Sequence, residues 1–472
     1  MTACELHPNL HLPLDPVAAA LGWPVDRPLL MLHSGTGGAA ISTVGASQNA
    51  ALERWARWSI LASPDSWLTA RTPDEVNELF AILERHSQTT VSSRSPGESP
   101  FQAGWIGLIA YELGRVMEPT AQQGHAIDDR HWPLLAMGRC DAALVFDHVH
   151  RRWSLAGDRS KAAQLALMIE MNAREPAWSA GALSSATTPD AYMAAVARTV
   201  ELIAQGDIFQ ANITQRFSAN FAGSTRALAQ AAFAVSRARY GAYLELPEGR
   251  CVVSMSPELF LEVEGASRRV VTRPIKGTLR GEADPAALVT SAKDAAELHM
   301  ITDLMRNDLG RVCEYGSIRV AKPREIESHP TVHHGVSEVS GTLRRDVCVA
   351  DLLRATFPPG SVTGAPKIRA MQIIDEIEPV QRGPYCGAIG FISDAGSVSL
   401  NVAIRTIAMT GSRRTIDGCV QWDALEGVLD YGAGGGVVAD SNPAAEYRES
   451  LDKTEVLRLA LAGAGQLMMQ KM

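Results

Sequence analysis

No run of apolar residues in this chain is long enough to span a bilayer, so no membrane-spanning helix is expected. The opening MTACELHPNL lacks a basic segment followed by an apolar one; no signal peptide is expected, and the expected home is the cytoplasm. Cysteine is sparse and shows no pairing pattern. The seven residues Cys4, Cys140, Cys251, Cys313, Cys348, Cys386 and Cys419 are dispersed, odd in number and free of any Cys-x-x-Cys spacing. That fits reduced thiols better than a disulfide framework or a zinc site. Positive charge is also in deficit. Lys and Arg total 44 against 52 Asp and Glu, a formal net charge of -8, which argues against a general nucleic-acid or polyanion binder. An anionic substrate would have to be met by a few placed cations or a metal. Short-period repeats and low-complexity tracts are absent as well.

What is present is an ordinary globular mixture, 46% hydrophobic and 20% charged over 472 residues. The length predicts one large domain or two packed subdomains. Two Ser/Thr/Pro/Gly-rich stretches, Gln88–Pro100 and Asn172–Pro189, read as loops. The second is the better boundary and is taken as a linker, 172–189, between an N-terminal region 15–171 and a second region 190–462. A helix is predicted right after it. Thr188 is its N-cap, Pro189 its first residue and Gly206 its stop, with Tyr192, Val196, Val200 and Ile203 on one apolar face. Pro28–Leu32, Ala142–Phe146, Ile208–Phe217, Cys251–Ser254 and Leu259–Val263 read as strands. Thr72–Leu83, Lys293–Arg306 and Asn442–Leu461 read as helices. The pattern predicts an α/β or α+β architecture with large sheets.

Several segments carry polar groups at chemically suggestive spacings. Asn442-Pro443 starts a helix on which Glu446, Glu449 and Lys453 fall on one face. Just upstream, Tyr431-Gly-Ala-Gly-Gly-Gly-Val-Val reads as a glycine-rich turn whose N–H groups could approach an anion. By itself the segment reads rather as a flexible turn before a helix whose early glutamates complement the macrodipole. Asp294 and Glu297 share a face of another helix; two such helices could hold Mg²⁺, and the bland alternative is a solvated acidic face. Lys276, pinned in a turn between Pro274 and Gly277, could serve as a nucleophile if its pKa were lowered, although a lone turn lysine is usually surface. Glu258 precedes an apolar strand and is either a usable general acid or a strand-end carboxylate. Gly360-Ser-Val-Thr-Gly-Ala-Pro-Lys reads as a glycine-rich turn into a helix near Pro366, without the Walker spacing. His334 with Ser337 on a strand, and Arg405 in Asn401-Val-Ala-Ile-Arg-Thr-Ile, complete the polar set.

These segments, together and in this order, resemble one family, the chorismate-utilising enzymes. It includes anthranilate synthase component I, aminodeoxychorismate synthase component I, isochorismate synthases and salicylate synthases. The likeness rests on DLMRNDLGRV, GSVTGAPKIRAM and YGAGGGVVADS, and is densest from Asp190 to Leu461. Weaker N-terminal matches include Pro28-Leu-Leu-Met-Leu-His-Ser-Gly and Gly104-Trp-Ile-Gly-Leu-Ile-Ala-Tyr-Glu-Leu. The resemblance implies a four-layer α/β/β/α sandwich of the anthranilate synthase component I type, with two interwoven subdomains. It implies Glu297 and Glu449 as Mg²⁺ ligands, with Asp294 and Glu446 contributing through water, and the metal holding the ring carboxylate of chorismate. Backbone N–H groups around Gly434, Gly435 and Gly436 would contact that carboxylate too. Arg405, Lys453 and Tyr385 match positions on the enolpyruvyl side, Thr363 and Gly364 a substrate-lining pair, His334 a histidine near the ring, and Glu258 the acid that protonates the leaving C4 hydroxyl.

Two positions separate the branches. The water-adding enzymes carry a basic lysine at the position of Gln210, and glutamine cannot act as that base. Anthranilate synthases typically carry Pro-Ile-Ala-Gly-Thr, whereas this chain has Pro274-Ile-Lys-Gly-Thr, which resembles the aminodeoxychorismate synthase branch. There the lysine attacks C2 and expels the C4 hydroxyl, and ammonia then attacks C4 and expels the lysine. No Gly-x-Cys-x-Gly glutaminase motif occurs, so a separate glutamine amidotransferase subunit is the implied partner. The stretch Leu30-Met-Leu-His-Ser matches a segment that holds tryptophan in some members. Ser34 is therefore a candidate tryptophan contact, with His33 replacing the usual acid.

Overall fold

The computed structural model describes residues 12–35, 54–87, 98–121, 124–171, 176–280, 284–328 and 332–469. Most of the loop expected at Gln88–Pro100, and residues 172–175 of the expected linker, lie outside them. Among the described residues two large antiparallel sheets form, one of twelve strands and one of ten. Both are drawn from the two halves of the chain. In the first, Leu30–His33 pairs with Tyr240–Leu246, Leu30 opposite Leu244. In the second, Gly104–Ile109 pairs with Ala388–Ser393, Ile106 opposite Phe391. A boundary at 172–189 thus marks a change along the chain, with both sheets continuing across it.

Period-two alternation builds the layers. Along Gly104–Ile109, Ile106 and Leu108 point into a core shared by the two sheets, with Leu30, Val145 and Leu244. Trp105 and Ile109 point the other way, into a core closed by the helices Pro73–Ser87, Ala292–Gly310 and Lys367–Ile377. On the first sheet, Leu144 and Tyr243 point outward beneath helices Arg159–Met168, Thr225–Ser236 and Glu455–Met469. The order is helix, sheet, sheet, helix, as expected. Both faces of each sheet are covered, which accounts for the near-continuous apolar runs among its strands. The six described cysteines are free thiols, and no described helix is long and apolar enough to cross a membrane.

The predicted helix after the linker is Pro189–Ala204. The Thr188 side chain accepts from Ala191 N, and Gly206 follows the C-cap at φ +86°. Four local readings change. The linker is not a free loop: Trp178–Ala180 and Ser184–Ser185 pair with strand Gln210–Ser224, which would otherwise leave ladder groups unpaired there. Asn442–Leu461 is not one helix but two, Pro443–Asp452 and Glu455–Met469. The break falls where the Tyr431 hydroxyl donates to the Lys453 carbonyl at 3.1 Å. The glycine-rich Tyr431–Val438 is not a turn: through Val437 it is the end of the 19-residue strand Cys419–Val437. Lys276, also read as a turn residue, lies in strand Ile275–Arg280.

Candidate active site

The end of strand Cys419–Val437 is the floor of the site. It pairs with Gln210–Ser224 on one side, Gly436 opposite Asn212, and with Thr406–Ile416 on the other. Glycine is required there because side chains crowd the bare backbone. A Cβ on Gly435 would lie 3.0 Å from Glu446 Oε2, 3.4 Å from Glu449 Oε1 and 3.7 Å from Lys453 Nζ. A Cβ on Gly436 would lie 1.9 Å from Gln210 Nε2 and 3.3 Å from Lys276 Nζ. Two acids, two lysines and a glutamine therefore converge on two adjacent residues.

Helix Pro443–Asp452 delivers one side. Its start is set as predicted, with Pro443 in the first turn and the Asn442 side chain accepting from Ala445 N. Glu446 is buried and accepts from Ser441 Oγ at 2.7 Å, while Ser441 Oγ also accepts from Val438 N at 3.0 Å. Lys453 Nζ donates to the Gly434 carbonyl at 2.6 Å and to Glu449 Oε1 at 2.8 Å.

Lys276 delivers the other side. Its Nζ donates to the Ser361 carbonyl at 3.2 Å. Burial pushes the Lys276 ammonium below its ordinary pKa; Glu297 and Glu258 pull the other way, and Lys453 adds to the lowering. Glu258 is 3% exposed. Burial pushes its carboxyl up to about 7, against a hydrogen bond from Ser361, the charge of Lys276 and the backbone of Ile275. Gly277 takes φ +80°, and a Cβ there would come within 3.0 Å of Asp294 Cγ, so the first turn of helix Ala292–Gly310 packs close. Glu297 lies one turn further along that helix, near enough for its charge to act on Lys276. His334 is buried on the neighbouring strand, opposite Thr278.

The turn beneath Lys276 is locked to the floor. The Thr363 carbonyl accepts from Asn212 N at 2.7 Å, and Gly364, at φ +152°, is so close to the Gln210 carbonyl that a Cβ would lie 2.1 Å away. Arg382 ties it further, donating to the carbonyls of Val362 and Asn212. Its partner Glu378 accepts from Thr214 N and Oγ1, both at 2.8 Å. Four residues back along the floor, ~13 Å, the Tyr385 ring covers Gly432. Arg405, at φ +50°, is lowered by burial and raised by Tyr431, and forms no ion pair among the described residues. A part-buried cation without a carboxylate is a natural anion site.

The predicted residues thus gather along one strand, with one exception. Ser34 and His33 line a separate cavity of about 350 Å³, with Trp55, Trp58, Arg239 and Tyr240. Burial and His148 hold His33 down at about 3. The sequence reading had no role for Ser361, Ser441, Tyr431 or the Glu378–Arg382 pair. Only the last left a local trace, its i,i+4 spacing. Among the described residues no three His, Cys, Asp or Glu side chains form a complete metal-binding group. The predicted acidic ligands are nonetheless all oxygen donors, and two face the gap over Gly435, which suits a hard cation that keeps waters and substrate oxygens.

The sequence matches the chorismate binding enzyme family over residues 45–458, and the chain belongs to that family. Within it, the chain is an enzyme of the aminodeoxychorismate synthase and anthranilate synthase component I type. It is 40% identical over 365 residues to aminodeoxychorismate synthase component 1 of Klebsiella aerogenes, covering 75% of this chain and 76% of that one. It is 34% identical over 403 residues to anthranilate synthase component 1 of Thermus thermophilus, covering 81% and 80%. Among solved structures, anthranilate synthase component I from Streptococcus pneumoniae superposes with a TM-score of 0.71 at 26% identity, covering 96% of this chain and all of that one.

Proposed function

We propose that the chain is an aminodeoxychorismate synthase component I, replacing the C4 hydroxyl of chorismate by an amino group through a covalent Lys276 adduct, on the way to p-aminobenzoate and folate. The observation that carries the reading is Lys276 itself: a part-buried amine with lowered proton affinity, beside a buried Glu258 pushed up to about 7. Lys276 as free amine attacks C2; the two conjugated ring double bonds shift and the C4–O bond breaks. Glu258 gives its proton to the departing hydroxyl, which leaves as water. Ammonia then attacks C4, both double bonds shift back, and the C2–N bond breaks to free Lys276. The new C4 ammonium returns a proton to Glu258.

The rest of the site binds and excludes. Arg405 and Lys453 meet the carboxylates of a dianion, with Tyr385, Thr363, Gly364 and His334 lining the ring and side chain. Mg²⁺ would be held by Glu297 and Glu449, with Asp294 and Glu446 through water, and would supply positive charge to the ring carboxylate. Gln210 offers no base, which disfavours addition of water. Ammonia is scarce at neutral pH, and the relatives' designation as component 1 supports a glutamine amidotransferase subunit as its source. The reduced, unpaired thiols fit a cytoplasmic enzyme.

Purified protein with chorismate, Mg²⁺ and ammonium is expected to form 4-amino-4-deoxychorismate, identified by mass. Fluorescent anthranilate as the main product would assign the chain to the anthranilate branch instead. The His33–Ser34 cavity is large enough for an aromatic amino acid and is proposed to hold tryptophan. Calorimetry showing no heat of binding would remove that assignment.

A further inference from the structure

Lys276 can attack only if its lone pair points at the substrate, and that orientation must come from whatever holds its two N–H bonds. This inference rests on the reading of Lys276 as the attacking amine. One N–H is accounted for by the Ser361 carbonyl, at 3.2 Å. The candidate for the other is Gln210. Its side chain is 1% exposed, and its Oε1 is buried without a hydrogen-bond partner among the described residues. A buried amide oxygen left without a donor is costly enough to require a reason.

The fold puts that amide beside Lys276 and leaves it little freedom. Gln210 opens the strand that pairs with the floor and is itself opposite Ala365. Its carbonyl is pressed against Gly364. Its amide and Lys276 Nζ crowd the same bare face of Gly436. A half-turn about the last side-chain torsion exchanges the amide oxygen and nitrogen.

We propose that Gln210 Oε1 accepts the second N–H of Lys276, so that both N–H bonds are engaged and the lone pair is aimed at the substrate ring. No proton passes to Gln210. As the C2–N bond forms and the C4–O bond breaks, Nζ becomes a cation that keeps both hydrogens, and the two acceptors stabilise that developing charge. When ammonia displaces Lys276, the amine returns to the same two acceptors. Gln210 is thus a positioning residue for the nucleophile.

The test separates this step from the rest. Protein is mixed with chorismate and Mg²⁺ without ammonium, quenched at intervals, and the adduct on Lys276 is followed by mass spectrometry. Steady-state kinetics with ammonium chloride are measured alongside. Gln210→Met keeps the length and removes the acceptor. It is expected to slow adduct formation roughly 10–100-fold, with the KM for chorismate and for ammonium each within about twofold of wild type. Gln210→Asn, which withdraws the amide by one methylene, is expected to slow the same step and carries the test if the methionine variant does not fold. Adduct formation at the wild-type rate, or a loss confined to either KM, overturns the positioning role. A wild type that forms no Lys276 adduct overturns the underlying reading instead.

Discussion

The site contains two amine–carboxylate pairs that differ in depth. Glu258 is buried and Lys276 part-buried, and both are displaced from their ordinary proton affinities, Lys276 down and Glu258 up. Lys453 and Glu449 form a direct ion pair at 2.8 Å, with side chains 40% and 52% exposed. An exposed pair contributes only about 0–1 kcal/mol to stability, which leaves its charges available for the ligand binding proposed for it. A desolvated pair loses hydration, which suits the same residue types there to the nucleophilic attack and proton donation proposed for them. Depth, rather than residue type, divides the proposed chemistry from the proposed binding.

Substitutions can break this contrast. Lys276→Ala is expected to cost at least about 10³-fold in kcat, whereas Lys453→Ala is expected mainly to raise the KM for chorismate, by roughly 10–100-fold for one charged hydrogen bond. Equal effects of the two variants on kcat would erase the division. Glu258→Gln is expected to lower kcat about 10²–10⁴-fold. The acid must be protonated to act, so wild-type kcat should fall as pH rises through about 7. A falling limb that survives in Glu258→Gln would assign the proton to another group.

The raised carboxyl also marks stability. Between its ordinary value of 4.5 and about 7, the folded protein keeps a proton that the unfolded chain has lost. Its contribution to stability therefore declines as pH rises through that window, and Glu258→Gln should flatten that decline in thermal melts at pH 5, 6 and 8. On the side of helix Pro443–Asp452, Gly435→Ala forces a Cβ to 3.0 Å from Glu446 and should raise the apparent KM for Mg²⁺ about tenfold, by ~1–3 kcal/mol of overpacking. The smallest effect is expected for Ser441→Ala, which removes one hydrogen bond to Glu446, worth about 1 kcal/mol, and should raise the same KM less than tenfold.

Much of this was legible where the signal is local. Thr188 and Pro189 started their helix, Asn442 and Pro443 started theirs, and the three-to-four-residue spacing put Glu446, Glu449 and Lys453 on a common face. Glycine density misled at Tyr431–Val438. It reads as a turn, but here glycine makes room above a strand for side chains from elsewhere in the chain. Ser361 and Tyr431 left no trace because each acts on a residue remote in sequence, Ser361 on Lys276 and Tyr431 on Lys453.

By itself, the sequence determined the mixed α and β class, from periodicity, the family, from ordered motifs, and the roster of charged groups; the layer order came with the family resemblance. It also showed that a chain of net charge -8 would need local cations for any anionic ligand. Only the tertiary structure decided which of those groups meet and how deeply. The pairing of Gln210–Ser224 with Cys419–Val437 sets Gln210 beside Gly436, Lys276 reaches the same spot from a strand of the other sheet, and exclusion of water then moves Lys276 and Glu258 toward neutrality. Burial is a property of the packed sheets, and no single segment carries it.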